Sequence, residues 1–186
     1  MTVNSNEKNG VVSREKSEQL EREKEREREL TNLTAHEAGH ILISAKEKIP
    51  IMKVNLSLHN GGSVVWDDLT HASKKDRAIA YAAGFASEMR LLDDETVKKS
   101  ARSSGFVTDS RRLDDLGYTT QEQKVALVIA ASKVLQSNSE QLLNIQRALT
   151  ERFLKQVERG EDVLELDKQE IKEIIQESEA VAGSAG

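Results

Sequence analysis

The chain has 186 residues, 37% of them hydrophobic but only 3% aromatic, and a formal net charge of -5. That length suits one domain whose core is filled by aliphatic side chains and alanine. Cysteine is absent, which excludes disulfides and thiolate metal sites, so any metal must be held by His, Asp or Glu. The acidic balance and the lack of a basic patch argue against nucleic acid as a partner. No apolar run approaches the ~20 residues of a membrane span, and no signal-peptide core precedes the charged N-terminus. A cytoplasmic protein without a membrane span is the expectation.

Residues 1–12 are polar and read as disordered. Residues 13–29 carry opposite charges at helical spacing and almost nothing apolar. They read as a solvated, partly helical arm with no coiled-coil seam. The domain is expected over residues 30–178, between this arm (1–29) and a flexible tail (179–186).

Leu30–Lys46 reads as an apolar helix, with Thr31, Asn32 or Thr34 available as its N-cap and Pro50 marking the turn after it. It contains Thr34-Ala35-His36-Glu37-Ala38-Gly39-His40, a His-Glu-x-x-His pattern. Helical spacing puts His36 and His40 one above the other on one face, where both imidazoles reach one metal ion. Glu37, one step round, can take a proton from the water that the metal activates. Gly39 in mid-helix costs roughly 1 kcal/mol against alanine. Another backbone, or a substrate, is therefore expected to come close there.

Met52–Leu58 alternates apolar and polar residues. His59-Asn60-Gly61-Gly62 makes a turn, and Ser63–Trp66 completes a β-hairpin. Val54, Asn55, Leu56 and Ser57 are expected to form an edge strand beside the metal helix, able to take a peptide as one more strand. His59 and His71 read as surface turn residues, and Trp66 as packing.

Lys74–Leu92 reads as a second helix, crowded with alanine and carrying Gly84. So smooth a surface is expected to lie against the motif helix. Glu88, in its apolar stretch, needs a partner, and a ligand histidine would supply one. Asp93–Ser104 reads as a loop, followed by a short helix closed by Gly117. A zinc hydrolase site takes three protein ligands and keeps a fourth position open. Asp109, a short carboxylate at a helix start, is the attractive third ligand, with Asp93, Asp94, Asp114, Asp115 and Glu88 as alternatives. Thr120–Arg159 reads as one long helix or two broken near Asn138, opened by the capping-box pattern Thr120-x-x-Gln123. Val163–Leu166 is a short apolar stretch. Asp167-x-x-Glu170 then caps a last helix, and Ala180–Gly186 is expected to be flexible.

Three motifs in order resemble the peptidase domain of the FtsH-type, membrane-anchored AAA proteases. They are His36-Glu37-Ala38-Gly39-His40, Ala83-Gly84-Phe85-Ala86-Ser87-Glu88, and Ser104-Gly105-Phe106-Val107-Thr108-Asp109. The second is similar to the family's Ala-Gly-Arg-Ala-Ala-Glu and the third to its Thr-Gly-Ala-x-Asn-Asp. Phe85 stands where the family has arginine, and Thr108 where it has asparagine. The resemblance spans roughly residues 31–177. It implies a mostly helical, zincin-like fold with a small β-element, one zinc ion on His36, His40 and Asp109, Glu37 as general base, and Glu88 as support for a ligand. No P-loop or membrane segment accompanies these motifs, so the expected activity is an ATP-independent metalloendopeptidase. Its substrate would be a peptide or an unfolded protein, with a homo-oligomer or a separate ATPase as possible partners. A catalytically idle peptide-binding module is the other reading.

Overall fold

The computed structural model describes residues 5–67, 69–100 and 104–184, with side chains described for 16–67, 69–97 and 105–183. Residues 1–4 and 185–186 lie outside it. The fold is mostly helical, with one small three-stranded antiparallel sheet.

The first helix, α1 (Ser5–Lys46), is far longer than the motif segment. Residues 16–29 of it are mostly charged and all exposed, with local pairs such as Arg28 to Glu25 at 3.8 Å. Residues 5–12, expected to be disordered, are part of it. Adding residues to an existing helix avoids the cost of a new nucleus. Thr31, Asn32 and Thr34 are therefore helix-interior and not N-caps. The Thr31 and Thr34 hydroxyls donate back to the carbonyls of Glu27 and Leu30, at 2.8 and 2.9 Å. From Thr34 to Ile43 every residue is buried. The helix ends in a Schellman-type turn: Ile49 N–H bonds the Ser44 carbonyl at 2.8 Å, and Lys48 takes a left-handed φ of 55°. Pro50 follows and cannot rejoin a helix.

Strands β1 (Ile51–Ser57) and β2 (Gly61–Trp66) form the expected hairpin. The third strand, β3 (Val163–Asp167), was read only as a short apolar stretch. It pairs antiparallel with β1, with Val54 opposite Leu166 and Leu56 opposite Leu164. The order is β2-β1-β3. Val54, Asn55, Leu56 and Ser57 are thus in the central strand and not at an edge. Their backbone groups are committed on both sides, so β1 cannot accept a further strand. Val54, Leu56, Leu164 and Leu166 alternate into the core, while Lys53 and Glu165 pair on the other face.

Helix α2 (Lys74–Leu91) starts on Ser73, whose hydroxyl accepts from Asp76 N–H at 3.1 Å. Residues 94–100, expected as loop, form α3 (Asp94–Ser100). Asp93 caps it, accepting from Thr96 N–H at 2.9 Å, with Asp94 and Glu95 favourably placed in its first turn. Then come α4 (Ser104–Asp115), α5 (Gln121–Ser137), α6 (Ser139–Glu158) and α7 (Lys168–Ser184). The break at Asn138 and the Thr120–Gln123 capping box are both present. Asp167 and Glu170 cap α7 reciprocally. That helix runs on to Ser184 through Ala180 and Ala182, good helix formers, where a flexible tail was expected.

The core is aliphatic apart from Phe153. Ile41, Leu42 and Ile43 of α1 meet Leu135, Leu142, Ile145, Leu149 and Ile174 of the later helices, each fully buried. Burial of each such side chain contributes about 1.5–3 kcal/mol. These later helices therefore hold the middle of the molecule, and with it the motif segment of α1. Among the described residues, no helix is long and apolar enough to cross a membrane.

Candidate metal centre

His36 and His40 stand one turn apart on the buried part of α1. Each Nδ1 donates to a fixed acceptor on α2: His36 to Glu88 Oε1 at 2.7 Å, and His40 to the Ala80 carbonyl at 2.7 Å. In the neutral rings this leaves both Nε2 atoms as lone pairs. They lie 3.1 Å from each other. Asp109 Oδ2, from the second turn of α4, lies 3.1 Å from His36 Nε2 and 3.0 Å from His40 Nε2.

Three acceptor atoms turned toward one another repel unless a cation lies among them. Their spacing suits a tetrahedral ion with bonds of ~2.0–2.1 Å, which sets its ligand atoms about 3.3 Å apart. The donor set of two imidazoles and one carboxylate is a common one for zinc in hydrolases and suits other divalent ions too. His36, His40 and Asp109 are the cluster, among the described residues, whose ligand atoms converge in this way.

The other carboxylates once open as third ligand are engaged elsewhere or exposed. Asp93 caps α3, Asp114 pairs with Lys124 at 2.8 Å, and Asp94 and Asp115 are exposed. Glu88 takes the far nitrogen of His36.

The helices approach closely because glycines permit it. A Cβ on Gly39 would collide with the Ala83 carbonyl and lie 2.6 Å from Ser87 Cβ. This is the near backbone expected from the sequence. Ser87 then donates to the Ala35 carbonyl at 2.6 Å, tying α2 to α1. A Cβ on Gly84 would intrude between the His36 and His40 rings, 2.6 Å from His40 Nε2. Gly105, at the start of α4, faces His36, and Phe85 packs on Phe106 at 4.9 Å. Phe85 thus pins α4 to α2 through an aromatic contact.

Glu37 is 2% exposed, and its Oε2 has no hydrogen-bond partner. Gly62 of β2 leaves the space that its carboxylate occupies. Burial pushes the Glu37 pKa up, opposed by the nearby histidines. Burial alone would lower the His36 pKa, but hydrogen bonds to Asp109 and Glu88 outweigh it and hold that pKa well above the usual value. Burial would likewise raise Asp109, yet His40 and His36 hold its carboxyl far below the usual range. His36 thus favours its protonated form and Asp109 its anionic form, opposite charges facing each other at the centre.

Two contributors were not read from the sequence as part of the site. Arg112, one turn after Asp109, lies 3.7 Å from Asp109 Oδ1 and stacks over Trp66 and Tyr81. It engages the carboxylate oxygen that does not face the histidines. Trp66 packs edge-on to His40 at 5.8 Å and donates its indole N–H to Ser44 at 2.7 Å. The i, i+3 spacing of Asp109 and Arg112 was the available signal for the first. His59 and His71 are exposed, and His59 lies at the rim of the cleft.

A cleft of about 480 Å³ opens over His36 and Glu37, bounded by the Glu25–Leu33 stretch of α1, the β1–β2 turn, the start of α3 and Gly105. Compared with protein-family models and with curated proteins, the chain matches none.

Proposed function

We propose that this protein is an ATP-independent zinc metalloendopeptidase acting on peptides or unfolded proteins, with Glu37 as general base. One observation carries the reading. Three ligand atoms converge within 3.1 Å beside a buried carboxylate whose Oε2 has no partner, at the inner end of an open cleft. The resemblance of the three motifs to FtsH-type peptidases supports it, since the same residues are the ones the fold assembles.

Bound zinc would supply a water of pKa about 7 and a Lewis acid for the scissile carbonyl. The chain's own residues do the rest. Glu37, its pKa raised by burial, accepts the proton of the attacking water and passes it to the departing amine. Glu88 and the Ala80 carbonyl hold the two imidazoles with Nε2 toward the ion. Arg112 holds the outer oxygen of Asp109, leaving the inner one to ligate. A peptide can enter over His36 and Glu37 from the cleft.

The test is cleavage of casein without ATP, by the parent protein and by Glu37→Gln, both shown to contain metal. Cleavage by the parent alone is the expected result. Equal cleavage by both, or none by the parent, would overturn the assignment.

A further inference from the structure

The cleft has a pronounced chemical bias. Its outer walls carry Glu25 and Glu29 from α1 and Asp93 and Glu95 at the start of α3. Arg28 also lines it, but pairs with Glu25 at 3.8 Å. Surface acids alone would be a solvated rim. The buried atoms point further. Among the described side chains, the buried polar atoms without a hydrogen-bond partner are Asn32 Oδ1, Glu37 Oε2, Glu88 Oε2, Arg77 Nε and Asn144 Nδ2. The three acceptors all belong to residues lining this cleft, and neither donor does. Glu88 is 1% exposed. Its Oε1 is used by His36, which leaves Oε2 as an anionic acceptor with nothing to accept from. Leaving such an atom unpaired is costly. Glu37 Oε2 is accounted for by its place beside the attacking water in the peptidase reading. Glu88 Oε2 and Asn32 Oδ1 are not.

We propose that the cleft binds a cationic, donor-rich group of the substrate, beside the bond that is cut. An ammonium or guanidinium supplies the hydrogen-bond donors that Glu88 Oε2 and Asn32 Oδ1 lack and the charge that Glu29 and Glu95 attract. Two parts of a peptide carry this chemistry: a Lys or Arg side chain, and the free amino terminus. The proposal rests on the peptidase reading of the same site and names its substrate class.

The experiment uses zinc-loaded Glu37→Gln protein and fluorescent octapeptides of alanine and glycine. The central residue is Lys, Arg, Gln or Glu in acetylated peptides, and a further Gln peptide has a free amino terminus. Binding is read by anisotropy. We expect the cationic peptides to bind at least ~10-fold tighter than acetylated Gln, as a charge-assisted hydrogen bond implies. Preference among the acetylated peptides assigns the side chain, and preference confined to the free amine assigns the terminus. In the exposed double variant Glu29→Lys, Glu95→Lys, carried in the same protein, the preference is expected to disappear. Equal affinities, tighter binding of the Glu peptide, no binding of any peptide, or a preference that survives the double variant would overturn the proposal. Cleavage of the same peptides by the parent separates the two ideas. Cleavage without cationic preference leaves the peptidase reading standing and removes this one. Cationic binding without any cleavage does the reverse.

Discussion

His36 Nδ1 donates to Glu88 Oε1 at 2.7 Å, across the interface of α1 and α2. That bond decides which nitrogen of His36 faces Asp109, and it forms only because Gly39 and Gly84 let the two helices close. Losing it frees the ring. Glu88→Ala is expected to weaken zinc affinity by about 10–100-fold. Glu88→Gln, which still offers a carbonyl oxygen, is expected to lose less. Competition with a chromophoric chelator measures both, and equal losses would show that the hydrogen bond is not the cause.

Gly84→Ala and Gly39→Ala should separate site from scaffold. The first places a methyl among the ligand imidazoles and is expected to abolish metal binding while the helical circular-dichroism signal persists. The second drives a methyl against the Ala83 carbonyl. It should lower stability by about 1–3 kcal/mol, as overpacking does. Metal titration and thermal melts of the two variants check this division of effects.

Metal binding is expected to stabilise the fold, because the ligands are brought together only when it is folded. Free zinc at ~100 times its Kd stabilises by about 2.7 kcal/mol. A chelator in excess should lower Tm correspondingly, and zinc should restore it. An unchanged Tm on chelation would contradict a native metal site.

The charge pattern of the site gives a pH signature. The His36 pKa is raised, so its contribution is full below the ordinary value of 6.5 and is lost as pH rises through the folded value. Glu37, also raised, acts in the same sense from its ordinary value of 4.5. Asp109 is lowered, so its contribution is present above 3.8 and is lost as pH falls through the folded value. Without metal, the site therefore stabilises best in the acidic window between these limits. Zinc bound at this centre would replace the proton on His36, so the Tm gap between loaded and metal-free protein is expected to widen as pH rises from that window. Paired melts across the pH range check the trend, and a gap that narrows would contradict it.

The helical part of the candidate metal centre was legible in the sequence because its spacing is local: His36, Glu37 and His40 lie within one turn and a half. Gly39 signalled a close neighbour through its cost to the helix, and Ala83 is that neighbour. Asp109 needed more than local chemistry, on which several carboxylates were equivalent: the resemblance of the third motif singled it out, and the fold brings that carboxylate beside the imidazoles. The sheet was harder. Val163–Leu166 shows strand alternation, but nothing local says that it pairs with a hairpin more than a hundred residues earlier. That non-local pairing turned the expected edge strand into a central one. α3 was missed for a smaller reason: the Asp93 cap and acidic first turn were weighed as polarity instead of as a helix start. The arm and tail were read by composition, whereas helix propagation from a buried segment extends order into polar sequence.

The measurement closest to the central claim is metal stoichiometry by elemental analysis after dialysis against zinc, for the parent and for His40→Ala and Asp109→Asn. The account predicts one zinc per chain in the parent and a large loss in both variants, each still folded by circular dichroism. A parent that retains no metal, or folded variants that retain it as well as the parent, would contradict it.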